Sequence, residues 1–123
     1  MNPLLVLLVV AFAGLAAAES YTDRFDSVNV DEILENKNIL PSYIKCVLDQ
    51  GKCTAEGKEL KANVVDGMQT GCSKCTGKQR VNTRKVVKHL KEKEADYFKQ
   101  VLDKYDPEDK YKSTYEAFLA RDD

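Results

Sequence analysis

The sequence predicts a small all-α protein, a single compact domain of about six helices, on three observations. Apolar residues recur at helical spacing along most of the chain, and no alternating β-branched run occurs. All four cysteines fall between Cys46 and Cys75, in the pattern C-x6-C-x18-C-x2-C. The chain also opens on an apolar leader, so those thiols are expected to meet an oxidising compartment and pair.

The leader comes first. Leu4 to Val10 is an unbroken apolar run, continued by Ala11 to Ala18 with Gly14 as its interruption. Ala16 and Ala18 are the small residues at −3 and −1 of a cleavage before Glu19. Residues 1–18 therefore read as a secretory signal peptide and 19–123 as the mature domain, secreted and extracellular. The stretch Met1-Asn2-Pro3 departs from the usual pattern in having no Lys or Arg. An uncleaved anchor would need a longer run and basic flanks, so stable membrane insertion is not expected. The whole chain carries 19 basic and 20 acidic residues. That balance argues against a nucleic-acid partner, because phosphate binding needs a basic excess. Lys74 to Lys93 is locally basic and reads as a solvated helix face.

The helices follow in order. Tyr21 and Phe25 lead in. Asn29, with Glu32 three residues on, is an N-cap with a capping-box-like acid and opens a short helix through Ile33 and Leu34. Pro41 stands near the start of the second helix, where a missing N–H matters least. Leu40, Tyr43, Ile44, Val47 and Leu48 give that helix its stripe, and Gly51 is the expected C-terminal stop. Thr54 caps the third helix, whose apolar residues Leu60, Val64 and Met68 fall at i, i+4 and i+8. Gly57 and Gly67 are expected to weaken it by about 1 kcal/mol each relative to Ala, and Gly71 ends it. The fourth helix begins near Cys72–Cys75 and carries Val86, Val87 and Leu90. The fifth runs from about Ala95 to Tyr105 with Phe98, Val101 and Leu102 inward. Asp106-Pro107 reads as N-cap and N1 of the sixth, with Tyr111, Tyr115, Phe118 and Leu119 as its stripe.

Four cysteines allow three disulfide connectivities, which spacing alone does not rank rigorously. Geometry leans one way. A helix of about 15 residues spans roughly 22 Å and keeps the Cys53 end away from the Cys72 end. Local pairs, Cys46 with Cys53 and Cys72 with Cys75, are then the easiest solution, each contributing about 2 kcal/mol on a chain-entropy argument. Zinc is the weaker reading, since C-x6-C is wide for a metal knuckle. A redox dithiol at Cys72-Ser-Lys-Cys75 lacks the expected βαβ context. No metal and no cofactor is expected.

No catalytic residue is assigned. His89 is the one histidine and sits among Lys88, Leu90 and Lys91. No Gly-x-Ser-x-Gly elbow surrounds any serine, and the carboxylates alternate with lysines as solvated faces do.

The cysteine spacing, the lead-in Tyr21-Thr-Asp-Arg-Phe25-Asp26, the segment Asp31-Glu-Ile-Leu34, the run Gly57-Lys-Glu-Leu-Lys61 and Lys104-Tyr-Asp-Pro107 resemble the insect chemosensory protein family over the whole mature chain. The resemblance implies a six-helix fold, the two local disulfides, and an internal apolar channel for small hydrophobic ligands without a cofactor. By position it puts Phe25 at the cavity mouth, Tyr43 on the second helix, Leu60 and Val64 on the walls of the third, and Phe98 where several relatives carry Trp. This chain has no Trp, so no indole gate carries over. Val47, Val87, Leu90 and Leu102 join them as candidate lining residues on the apolar faces, and Met68 as an adaptable one.

Without the resemblance, solid packing is the default for such a domain. Two functions stay open. One is a monomeric, secreted carrier of odorant-, pheromone- or lipid-like ligands. The other is a secreted developmental or defence interaction protein that needs no small molecule. An apolar cavity favours the first, and a solid core with an exposed apolar patch the second. No receptor is assigned.

Overall fold

The computed structural model describes residues 26–123. The leader, its cleavage site, Tyr21 and Phe25 lie outside the described residues. Six helices follow, with no strand among the described residues: α1 (Val30–Glu35), α2 (Leu40–Val47), α3 (Ala55–Thr70), α4 (Gly77–Lys93), α5 (Ala95–Tyr105) and α6 (Lys112–Ala120). None of them is long and apolar enough to cross a membrane.

Helix α3 is the axis of the bundle, packing on α2, α4 and α6 and more lightly on α5. Its inward residues are deeply buried: Val64 is 0% and Met68 1% exposed. Around them gather Ile44 and Val47 of α2, Val86, Val87 and Leu90 of α4, Val101 of α5, and Tyr115, Phe118 and Leu119 of α6. Burial of a Val or Leu side chain contributes about 1.5–3 kcal/mol, so this cluster supplies the main drive for folding.

The cysteines clip both ends of α3. Cys46 is bonded to Cys53 and Cys72 to Cys75, with Cα–Cα distances of 5.0 and 5.2 Å. The caps follow the sequence where its signals are strong. Asn29 accepts from the Glu32 amide at 3.2 Å, and Thr54 from the Gly57 amide at 3.0 Å. Gly71 closes α3 in the left-handed region at φ 74°.

Two expected breaks differ. Gly51 does not stop α2. Asp49 does, at φ 58°, with its amide donating to Cys46 O and the Gln50 amide to Lys45 O, the paired bonds of a Schellman end. Asp tolerates the left-handed region better than most residues. Here its carboxylate is also held by Lys61 of α3 and, at 3.2 Å, by Lys104 of α5. Asp106-Pro107 does not open the last helix either. The Asp106 carboxylate turns over the loop and accepts from the Lys110 and Tyr111 amides at 2.6 and 3.2 Å, and α6 starts at Lys112.

The glycines of α3 also have a packing role beyond their propensity. A Cβ on Gly67 would come 2.9 Å from Thr83 Cγ2 and 3.2 Å from Phe118 Cε2. A Cβ on Gly57 would meet Cys46 Sγ at 3.2 Å. Both let neighbouring elements approach α3 closely.

Candidate functional site: an apolar cleft and the space behind it

Two apolar spaces lie on the side of the bundle where α1, α2, α3 and α4 meet. The outer one is a cleft of about 50 Å³ with a mostly apolar wall, lined by Val28, Val30, Ile33, Tyr43, Leu60 and Val86, with Asp26, Glu56, Glu59, Asn63, Gln79, Asn82 and Thr83. Behind it is an enclosed space of about 10 Å³ among Ile33, Leu34, Leu40, Tyr43, Ile44, Val47, Leu60, Val64, Val86, Leu90 and Val101. Ile33, Tyr43, Leu60 and Val86 line both, so these four side chains form the partition between them.

The helices set this geometry directly. Tyr43, Ile44 and Val47 fall on one face of α2 because i, i+1 and i+4 share a helix face, as do Leu60 and Val64 on α3. Of the candidate lining residues, Tyr43, Val47, Leu60, Val64 and Leu90 line one or both spaces. Met68 and Val87 are buried in the core and line neither. Phe98 and Leu102, partly buried on α5, line neither as well; the Phe98 ring meets Tyr115 edge-on at 6.4 Å. Phe25 lies outside the described residues. Ile33, Val86 and Val101 are wall residues that the sequence reading did not single out for the site. Their positions on apolar stripes were visible, but which stripe faces a gap depends on how the helices cross.

Polar residues also line the cleft, which no local pattern announces. The Glu59 carboxylate accepts from Gln79 Nε2 at 2.9 Å. Gln79 also closes the capping box of α4 with Thr76, at 2.9 and 3.2 Å. Burial, with the Asp26 charge in support, pushes the Glu59 carboxyl above its ordinary value. Asn63 Oδ1 and Thr83 Oγ1 are buried without a hydrogen-bond partner among the described residues.

Not every carboxylate sits on a solvated face, as the sequence suggested. Asp66, 8% exposed, accepts from Thr70 Oγ1 at 2.7 Å and from the Lys74 amide at 3.0 Å. It thereby fixes the loop that carries the second disulfide. Asp66, Cys72 and Cys75 lie close together, but the two sulfurs are bonded to each other, which leaves one potential metal ligand.

A clipped helical bundle whose apolar cleft leads to an enclosed apolar space belongs, as a class, with the small helical ligand-binding proteins. More narrowly, residues 21–113 match the insect pheromone-binding family, A10/OS-D, and the chain belongs to that family. It is 43% identical over 117 residues to ejaculatory bulb-specific protein 3 of Drosophila melanogaster, covering 95% of this chain and 93% of the relative. Among solved structures it resembles a chemosensory protein in complex with bromo-dodecanol, with TM-score 0.69 and 42% identity over 80% of this chain and 98% of that one. It also resembles antennal chemosensory protein A6 of the moth Mamestra brassicae, with TM-score 0.68 and 40% identity over 75% and 90% of the two chains.

Proposed function

We propose that this protein is a secreted carrier that takes a small hydrophobic ligand into the space behind the cleft, with no catalytic step. The observation that carries the reading is the partition itself. Ile33, Tyr43, Leu60 and Val86 separate an outer apolar cleft from an inner one, so moving them joins the two into a channel. As they stand, the spaces fall far short of the roughly 300 Å³ at the small end of ligand pockets. The inner one is about large enough for one water. A long-chain ligand must therefore displace the partition as it enters. Three of its members, Ile33, Tyr43 and Leu60, are only partly buried, which makes that displacement easier than moving the core below. The bound bromo-dodecanol of a 42%-identical relative supports the same ligand class. Among the described residues, the large apolar side chains that stand exposed are Ile39 and Val81. Ile39 stands in the turn at the N-cap of α2 and Val81 on α4, and neither argues for a protein-docking face.

Affinity should then follow buried apolar area. At about 0.8 kcal/mol per buried CH₂, a two-carbon extension of a fatty alcohol adds up to roughly 1.6 kcal/mol, about fifteen-fold, before chain ordering reduces it. Calorimetry across a chain-length series reads this directly, and a flat series contradicts the reading. Secretion has its own test. The exported protein should begin at Glu19 on N-terminal sequencing, and a retained leader would refute cleavage.

A further inference from the structure

The cleft lining includes polar side chains, and their chemistry is one-sided. Asn63 is 6% and Thr83 1% exposed, and both line the cleft. Among the described residues, Asn63 Oδ1 and Thr83 Oγ1 nevertheless have no hydrogen-bond partner. Buried polar atoms are nearly always paired, and an unpaired one is destabilising until something satisfies it. The Thr83 methyl lies against the Gly67 backbone, so packing fixes the side chain and its hydroxyl cannot turn that way. The charged residues of the cleft lining are Asp26, Glu56 and Glu59, with no Lys or Arg.

We infer that Asn63 and Thr83 form a head-group site for a neutral hydrogen-bond donor, and that the ligand class is the long-chain primary alcohol rather than the fatty acid. This deepens the carrier reading and rests on it. An amide oxygen only accepts, so it needs an O–H or N–H from the ligand. A threonine hydroxyl both donates and accepts. An alcohol hydroxyl has a proton for the first and a lone pair for the second. A carboxylate offers Asn63 Oδ1 no proton and brings a negative charge into a lining that carries three carboxyl groups and no cation. An ether accepts from Thr83 and gives Asn63 nothing.

The test uses 1-dodecanol, 1-methoxydodecane and dodecanoate at pH 7, each displacing an apolar fluorescent probe from the wild-type protein. The expected order is alcohol, ether, acid. The alcohol should bind about five-fold more tightly than the ether, the scale of one hydrogen bond, and the acid more weakly than either. Asn63→Leu should bring the alcohol down to the ether's affinity while leaving the ether unchanged. Thr83→Val, nearly isosteric, should weaken alcohol and ether together without lowering the thermal midpoint, because it removes a polar atom that has no partner among the described residues. A hydroxyl with a structural role would instead lose stability on that substitution. Equal binding of the three probes, or an alcohol preference that survives both substitutions, overturns the head-group site and leaves the carrier standing. Failure of every probe to bind overturns both.

Discussion

Two adjoining regions of the bundle are built differently, although both are made of α3 and α4. In one, α6 closes over Gly67. Phe118, 1% exposed, lies under the Arg84 guanidinium at 4.7 Å, and Arg121 covers its ring at 5.6 Å. Arg84 in turn donates to Phe118 O, Asp123 O and Asp123 Oδ1, each at 2.9 Å. Every nitrogen of the Arg84 guanidinium is engaged there, and α3 and α6 are in close approach at Gly67. In the other, one turn back along α3 and one residue back along α4, Asn63 and Thr83 hold atoms without a partner among the described residues, beside a cleft. The covering element is the six-residue α1, tied to α4 by the exposed Lys85–Asp31 pair at 3.1 Å. Such pairs contribute little. The contrast teaches where the molecule can open: one region is fastened by hydrogen bonds and stacking, the other mainly by apolar contact.

Breaking the fastened region should have the largest effect. Phe118→Ala should cost about 3–5 kcal/mol of stability in chemical denaturation, and a loss below about 1 kcal/mol would mean that α6 is not the fastening. Gly67→Ala, which forces a Cβ against Thr83 and Phe118, should cost about 1–3 kcal/mol by overpacking. A neutral result would show that Thr83 of α4 and Phe118 of α6 can both give way. At the cleft, Leu60→Ala should cost less, about 1–2 kcal/mol, because the side chain is only partly buried. It should also shift the preferred ligand length, since it thins the partition. An unchanged chain-length optimum would remove Leu60 from the path.

Electrostatic changes sharpen the comparison at smaller scale, and two carboxylates carry opposite signs. Hydrogen bonds from Lys61 and Lys104 hold the Asp49 carboxyl below its ordinary 3.8. Its contribution is therefore present above pH 3.8 and lost as pH falls through the lower folded value. Asp49→Asn keeps a residue that tolerates positive φ and should flatten the acid limb of the stability profile there. Glu59 at the cleft is pushed above its ordinary 4.5, chiefly by burial. Its ionisation thus opposes folding, and stability falls as pH rises from about 4.5 through the folded value. Glu59→Gln, which keeps the bond from Gln79, should be more stable than the wild type at pH 7. A destabilised variant would show that the charge is compensated. His89→Ala should leave ligand affinity unchanged, as the residue lines neither space.

Much of the fastened architecture was legible in the sequence. The spacing of Leu60, Val64 and Met68 defines the axis helix, Thr54 and Gly71 mark its ends, and the cysteine pattern leans to the local clips that are present. Such signals are local, within a turn or a cap. What escaped depends on contacts between distant elements. Asp49 replaces Gly51 as the stop of α2 because lysines from two other helices meet it, and no local rule announces that. Gly67 reads as a weak helical residue until Phe118 and Thr83 are brought against it. The same limit applies to the cleft. Tyr43 and Leu60 were legible as apolar-face residues. Asn63 and Thr83 look like ordinary polar helix positions, and only the crossing of α3 and α4 buries them with atoms that have no partner among the described residues.

The central claim is that ligand enters by moving the cleft region while the α6 region stays fixed. Amide hydrogen exchange with and without 1-dodecanol tests this most directly. The account predicts that protection changes in α1, in α2 around Tyr43 and in the first half of α3, with α6 and the amides near Arg84 unaltered. A change concentrated in α6, or one spread evenly over the bundle, would contradict it.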